Sequence, residues 1–173
     1  MLKTMPAKEH RAPWGRSLIL ISVLSSLLCL GISTGFALSR HSGLRWPLLL
    51  PLVVLAVCAL FTVRGYVVTA DALLVRRLLW TTRLPWAGAA ALQSVHAEPD
   101  VMRGSMRLWG NGGLYAFTGL FRSKKLGRYR AFVMDPHRTV VLRLAGRTIV
   151  VSPASPQDFV RDVRQVSGLA DSG

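Results

Sequence analysis

A chain of 173 residues with a formal charge of +14 has room for one folded domain rather than two. The basic balance points to a polyanionic neighbour, either nucleic acid or an anionic membrane surface. Two cysteines exclude a disulfide framework, and no Cys/His spacing suits a metal ion.

Residues 1–16 carry Lys3, Lys8, Arg11 and Arg16 against one acid, Glu9, and Pro6, Pro13 and Gly15 discourage a helix. The expectation is a disordered basic tail. Residues 17–39 (SLILISVLSSLLCLGISTGFALS) contain no charge, and about 20 apolar residues cross a hydrocarbon core. A signal peptide has a shorter apolar region, roughly 7–15 residues, so the run reads as a retained span. Within it, Gly31-Ile32-Ser33-Thr34-Gly35 is a small-xxx-small pattern that can pack the two spans or join two protomers. Residues 40–45 (RHSGLR) form a polar turn. Residues 46–63 (WPLLLPLVVLAVCALFTV) are a second uncharged run, with Pro47 in the first turn and Pro51 placed to kink it. Trp14 and Trp46 suit interfacial anchors. Residues 17–63 therefore predict a two-helix transmembrane hairpin. Cys29 and Cys58 differ in depth by about 10 Å, beyond the ~7 Å reach of a disulfide, so both are expected free.

The tail has four basic residues, and Arg64, Arg76, Arg77 and Arg83 follow the second run, whereas the turn has only Arg40 and Arg45. The positive-inside rule then gives a multi-pass protein of the plasma (inner) membrane with both termini cytoplasmic.

Residues 64–173 are the predicted cytoplasmic domain. Runs of β-formers between turns mark strands over 66–69, 73–79, 81–84, 138–144 and 147–152, and alternation marks one over 92–96. Ala145-Gly146 makes a tight hairpin. Between them lies RLWGNGGLYAFTGLFRSKKLGRYRAFVMD (107–135), with glycine at 110, 112, 113, 119 and 127 among aromatics. It reads as a meander of short, bent strands, glycine permitting turns and close backbone approach, and Asn111-Gly112 is a hairpin-turn signal. Ser155-Pro156-Gln157-Asp158 opens a helix with Ser155 as N-cap; Phe159, Val160, Val163 and Val166 form its apolar face, and Gly168 ends it.

The run Gly119-Leu120-Phe121, then Gly127-Arg128-Tyr129-Arg130 leading into Phe132-Val133-Met134-Asp135, then Thr148-Ile149-Val150-Val151-Ser152-Pro153 and Gln157-Asp158-Phe159-Val160 resembles the bacterial pleckstrin-homology-like (PH-like) domain family, over about residues 65–166. The resemblance implies an α+β domain: a bent, partly closed antiparallel sheet of about seven strands with a C-terminal helix. In well-studied eukaryotic PH domains basic residues bracket a longer loop between the first two strands. Here that turn, Ala70-Asp71-Ala72, is short and acidic, which argues against inositol-phosphate specificity.

No chemistry-bearing constellation emerges. His10, His41, His96 and His137 are scattered, the acids fall mostly in turns, and no serine has a nucleophile context. An enzyme is not expected, nor a cofactor. What stands above background is charge: sixteen Lys and Arg against seven acids from residue 64 onward. It is densest at Arg122, Lys124, Lys125, Arg128 and Arg130. That run is either a solvated loop or a contact for anionic lipid headgroups, about 1 kcal/mol per basic residue near the surface. The expected role is a membrane-anchored binding or scaffold module contacting a protein partner or anionic lipid. The alternative from another class is a membrane-tethered nucleic-acid binder, for which Tyr129 between two arginines is the best sign.

Overall fold

The computed structural model describes residues 7–38, 46–86 and 91–168. With no charge to solvate and every backbone group satisfied internally, the first apolar run folds as one helix, α1 (Arg16–Leu38). Its 23 residues rise ~34 Å at ~1.5 Å each, enough for a hydrocarbon core of about 30 Å. Leu20, Leu24, Leu27 and Leu28 lie exposed along it. Among the described helices α1 alone is long and apolar enough to cross a membrane.

The second run departs from its expected bounds of 46–63. It is helical over α2 (Trp46–Leu60), 15 residues or about 22 Å, and continues through Pro51 without a break. Phe61 and Thr62 turn the chain, and Val63 already opens strand β2 (Val63–Val68), fully buried in the domain core. The two helices pack side by side. Among the described residues, Gly31 and Gly35 have nothing within 4 Å of where a Cβ would sit, whereas Ser33 between them is buried. Residues 40–45, with His41, lie outside the described residues.

The basic tail is not disordered throughout. It supplies strand β1 (Lys8–Arg11), which pairs antiparallel with β2, from Lys8↔Val68 to Arg11↔Gly65. Gly65 is needed there: a Cβ would stand 2.8 Å from the His10 carbonyl oxygen. β3 (Ala72–Arg77) and β4 (Thr81–Pro85) complete a four-stranded sheet in the order β1-β2-β3-β4.

The second sheet has six strands, ordered β5-β9-β10-β8-β7-β6. They are β5 (Leu92–Ala97), β6 (Met106–Gly112), β7 (Phe117–Ser123), β8 (Gly127–Val133), β9 (Val140–Leu144) and β10 (Arg147–Val151). Ten strands among the described residues exceed the seven or so expected, because β1 joins and the glycine-rich stretch resolves into three strands. The sheet is not wholly antiparallel either: β10 lies between β9 and β8 and runs parallel to β8. Asn111-Gly112 is not the β6–β7 turn. The Asn111 side chain closes a longer loop, accepting from the Leu114 amide and donating to its carbonyl, and Tyr115 takes φ 61°.

Helix α3 (Pro156–Ser167) follows, with Ser155 at the N-cap position and Gly168 at φ 70° ending it. The Ser155 hydroxyl donates to the Asp158 carboxylate rather than capping an amide. Phe159 and Val163 are fully buried, with Val160 and Val166 packed at the margin. They close the main core against Tyr66, Phe132, Leu142 and Ile149. Inside it, the Tyr66 hydroxyl donates to the Phe132 carbonyl (2.6 Å) and accepts from the Ser152 amide (3.0 Å). Burial pushes the Tyr66 hydroxyl up to about 12, so it remains a donor. A second, smaller core lies on the opposite face of β7 and β8, around Phe121, Leu126 and Tyr129.

Candidate functional site

Strand periodicity sorts the basic run. In the β7–β8 hairpin Arg122 pairs with Arg128 and Leu120 with Arg130; directly opposed residues share a face, as do residues two apart. Arg122, Arg128 and Arg130 therefore stand together, exposed, on the face that carries Thr118 and Phe132 nearer the core. Lys124 and Lys125 sit in the connecting turn, and Lys125 is drawn to Glu98, whose carboxyl it holds below the usual range. The five candidates thus divide: three arginines on one face, one lysine at the tip, one lysine paired elsewhere. Tyr129 points the other way. It is 1% exposed, stacks on Phe121 and donates to the Ser105 hydroxyl at 2.7 Å, so it offers no platform for a nucleic-acid base.

Sequence reasoning missed Arg77, at the end of β3. It is only 9% exposed. Its Nε donates to Thr82 Oγ1 and its Nη1 to the Phe61 carbonyl, both at 3.3 Å. The guanidinium lies over Phe61, Trp80 and Phe132, at 5.4, 5.5 and 5.2 Å from the ring centroids, arrangements that attract a cation to a π face. Arg130 lies over Phe132 as well, at 5.4 Å. Burial, and secondarily the charge of Arg130, hold Arg77 below its ordinary value. Among the described residues no carboxylate pairs with Arg77, Arg107, Arg122, Arg128 or Arg130; Arg76, Arg83, Arg138 and Arg161 each have one. Arg77, Arg107 and Arg130 line one cleft of about 480 Å³ together with Val57 of α2, Phe61 just past it, Trp109 and Leu114. Trp109 is 80% exposed.

The same region seats the helices. The Tyr115 amide donates to Ser22 Oγ at 2.9 Å, and its hydroxyl lies 2.6 Å from Ser26 Oγ, both on α1. Thr62, just past α2, donates to the Tyr115 carbonyl at 3.5 Å. Trp14 meets the Tyr115 ring edge-on. At the start of α1, the Gly15 amide donates to the Met134 carbonyl at 3.0 Å, and Leu18 is fully buried. The histidines stay dispersed: His10 packs on Phe159, while His96 and His137 face Glu98 and Asp100.

A family model described as Bacterial PH domain matches residues 64–167. The chain belongs to the bacterial PH domain family. Curated proteins and solved structures yield no match to it. The matched stretch opens within β2 and closes with α3, so β1, α1 and α2 lie outside it, although β1 is hydrogen-bonded into the PH domain's own sheet. PH domains are typically non-catalytic binding modules, and the cleft, built from arginines and aromatic rings, fits that description.

Proposed function

We propose that the chain is a non-catalytic, membrane-anchored PH-type binding module of the cytoplasmic face. α1 and α2 serve as its two-span anchor, and residues 64–173 as its cytoplasmic domain. The arginine face of β7–β8 meets anionic lipid headgroups, with an acidic protein partner as the occupant when lipid is not. One observation carries the reading: Arg77, Arg107 and Arg130, without carboxylate partners among the described residues, share a cleft with the end of α2, and Arg130 also belongs to the arginine face of β7–β8. An apolar helix end and an unneutralised cationic surface at the same place suit the boundary between hydrocarbon and anionic headgroups, where the surface potential acts within about one Debye length, ~8 Å at physiological salt.

The test uses the full chain in nanodiscs, with Lys124→Cys at the hairpin tip in a background lacking Cys29 and Cys58. Labelling by an impermeant thiol reagent is expected to slow several-fold as phosphatidylglycerol replaces phosphatidylcholine, and to recover in high salt. Replacing Arg122 and Arg128 by Gln should abolish that response. Labelling indifferent to headgroup charge at low salt would pass the arginine face to a soluble acidic partner.

A further inference from the structure

A buried guanidinium ordinarily has a counter-charge, because taking a charge out of water is costly unless it is paired. Arg77 is nine-tenths buried and has instead two weak hydrogen bonds and three aromatic faces. A second cation, Arg130, lies over the same Phe132 ring. Packing accounts for Arg77 alone: its stem and guanidinium fill the space between Phe61, Trp80 and Phe132. It does not account for Arg130, which adds repulsion and whose side chain makes no hydrogen bond or ion pair among the described residues. A guanidinium has five donors. Among the described residues the Arg77 side chain uses two and that of Arg130 none, so both can donate to an oxyanion in the cleft that they line.

The cleft that the pair lines also limits which oxyanion. Arg107 lines it as well, and the rest of its lining includes apolar side chains: Val57, Phe61, Trp109 and Leu114. Beyond Val57, the α2 surface continues exposed and apolar through Val54 and Val53. A ligand with one charged end and one apolar end matches both parts, whereas free phosphate matches only the first. We propose that this cleft holds the phosphate of one anionic phospholipid, gripped by Arg77 and Arg130, with its acyl chains along α2. The proposal rests on the membrane reading above. It differs from that reading in asking for one bound molecule at one place rather than a charged layer under a basic face.

The experiment is native mass spectrometry of the full chain in mild detergent, titrated with phosphatidylglycerol or phosphatidylcholine. One phosphatidylglycerol per chain should be retained, and phosphatidylcholine should not. Arg130 is exposed, so Arg130→Gln leaves the fold intact, and it should weaken retention by about tenfold or more, the scale of losing charge-assisted hydrogen bonds. Arg77→Gln should do the same, with circular dichroism showing whether the variant is folded. Arg122→Gln with Arg128→Gln should leave the bound lipid in place, although it abolishes the labelling response described above. A charge-sensitive surface without a retained lipid, and a retained lipid without a charge-sensitive surface, are therefore separable results. No selective adduct, or one that Arg130→Gln leaves unchanged, overturns the site. Displacement of the lipid by millimolar inorganic phosphate would also overturn it, since the cleft would then be a bare phosphate site.

Discussion

His10 shows what a single side chain does when a polar segment is folded in. Its ring is 10% exposed, meets Phe159 edge-on at 5.0 Å, and has Nε2 3.2 Å from Asp162 Oδ2 without the alignment of a hydrogen bond. Asp162 is already engaged by Lys8 at 2.7 Å. Burial lowers the His10 pKa; Asp162 and more weakly Asp158 raise it and Lys8 lowers it slightly, but burial prevails. The folded value thus lies below the unfolded one of about 6.5. As pH falls through about 6.5 the unfolded chain takes up the proton first, so stability present at neutral pH is lost progressively toward the folded value. His10→Gln should flatten the decline in stability between about pH 7 and 5. Denaturant midpoints of the full chain across that range check this, and equal slopes for both proteins would remove His10 as the cause. Alternation told that residues 128 and 130 share a face, but no local pattern told that Arg77 is buried. Its partners Phe61, Thr82 and Phe132 come from the turn after α2, from β4 and from β8, and only the assembled core brings them together.

At the scale of elements, β5 was legible by its alternation, and β2, β3, β4, β9 and β10 by short runs of β-formers bounded by turn signals, β9 and β10 being buried on both faces. Helix α3 was legible through its proline, its glycine and its apolar face. β1 was not legible, since KEHR has no β-former; its pairing is made by the β2 edge and by the contacts of Lys8 and His10 with α3. The β6–β7 loop escaped for the same kind of reason: Tyr115 sits at φ 61° where α1 supplies hydroxyls to its amide and phenol. These contacts change how α3 should be tested. A fragment beginning at residue 64 lacks β1, Ala12 and Leu18, all within or beside the core, so the full chain is the proper object. Phe159 is fully buried and meets both His10 and Tyr66 edge-on, tying α3 to β1 and β2 together. Phe159→Ala should cost about 3–5 kcal/mol, read as a lowered midpoint in the near-ultraviolet circular dichroism of the full chain in detergent. An unchanged midpoint would mean that α3 contributes nothing to holding the two strands.

For the whole molecule, the β1–β2 ladder constrains how the chain can meet a bilayer. β1 precedes α1 and β2 follows α2, yet the two are hydrogen-bonded from Lys8↔Val68 to Arg11↔Gly65. The start of α1 and the end of α2 must then stand on one side of any membrane. If α1 crosses, the chain has to cross back before Val63; a single crossing is incompatible with the ladder. α2 rises about 22 Å against a core of about 30 Å, a mismatch that local thinning accommodates at fractions of a kcal/mol per Å. Tyr115, held between Ser22, Ser26 and Thr62, keeps the PH domain against the N-terminal half of α1 and the end of α2. The ladder gives the parity of crossings and not their direction; the proposal that the domain lies inside rests on the basic residues of the tail and those following α2, which outnumber Arg40 and Arg45. In a background lacking Cys29 and Cys58, a cysteine at Ser42 should label from outside intact cells with an impermeant reagent, and one at Ser172 only after permeabilisation. Labelling at Ser172 alone would invert the orientation while preserving the parity. Labelling of both from outside would mean that neither helix crosses, and the arginine cleft would then have no bilayer beside it.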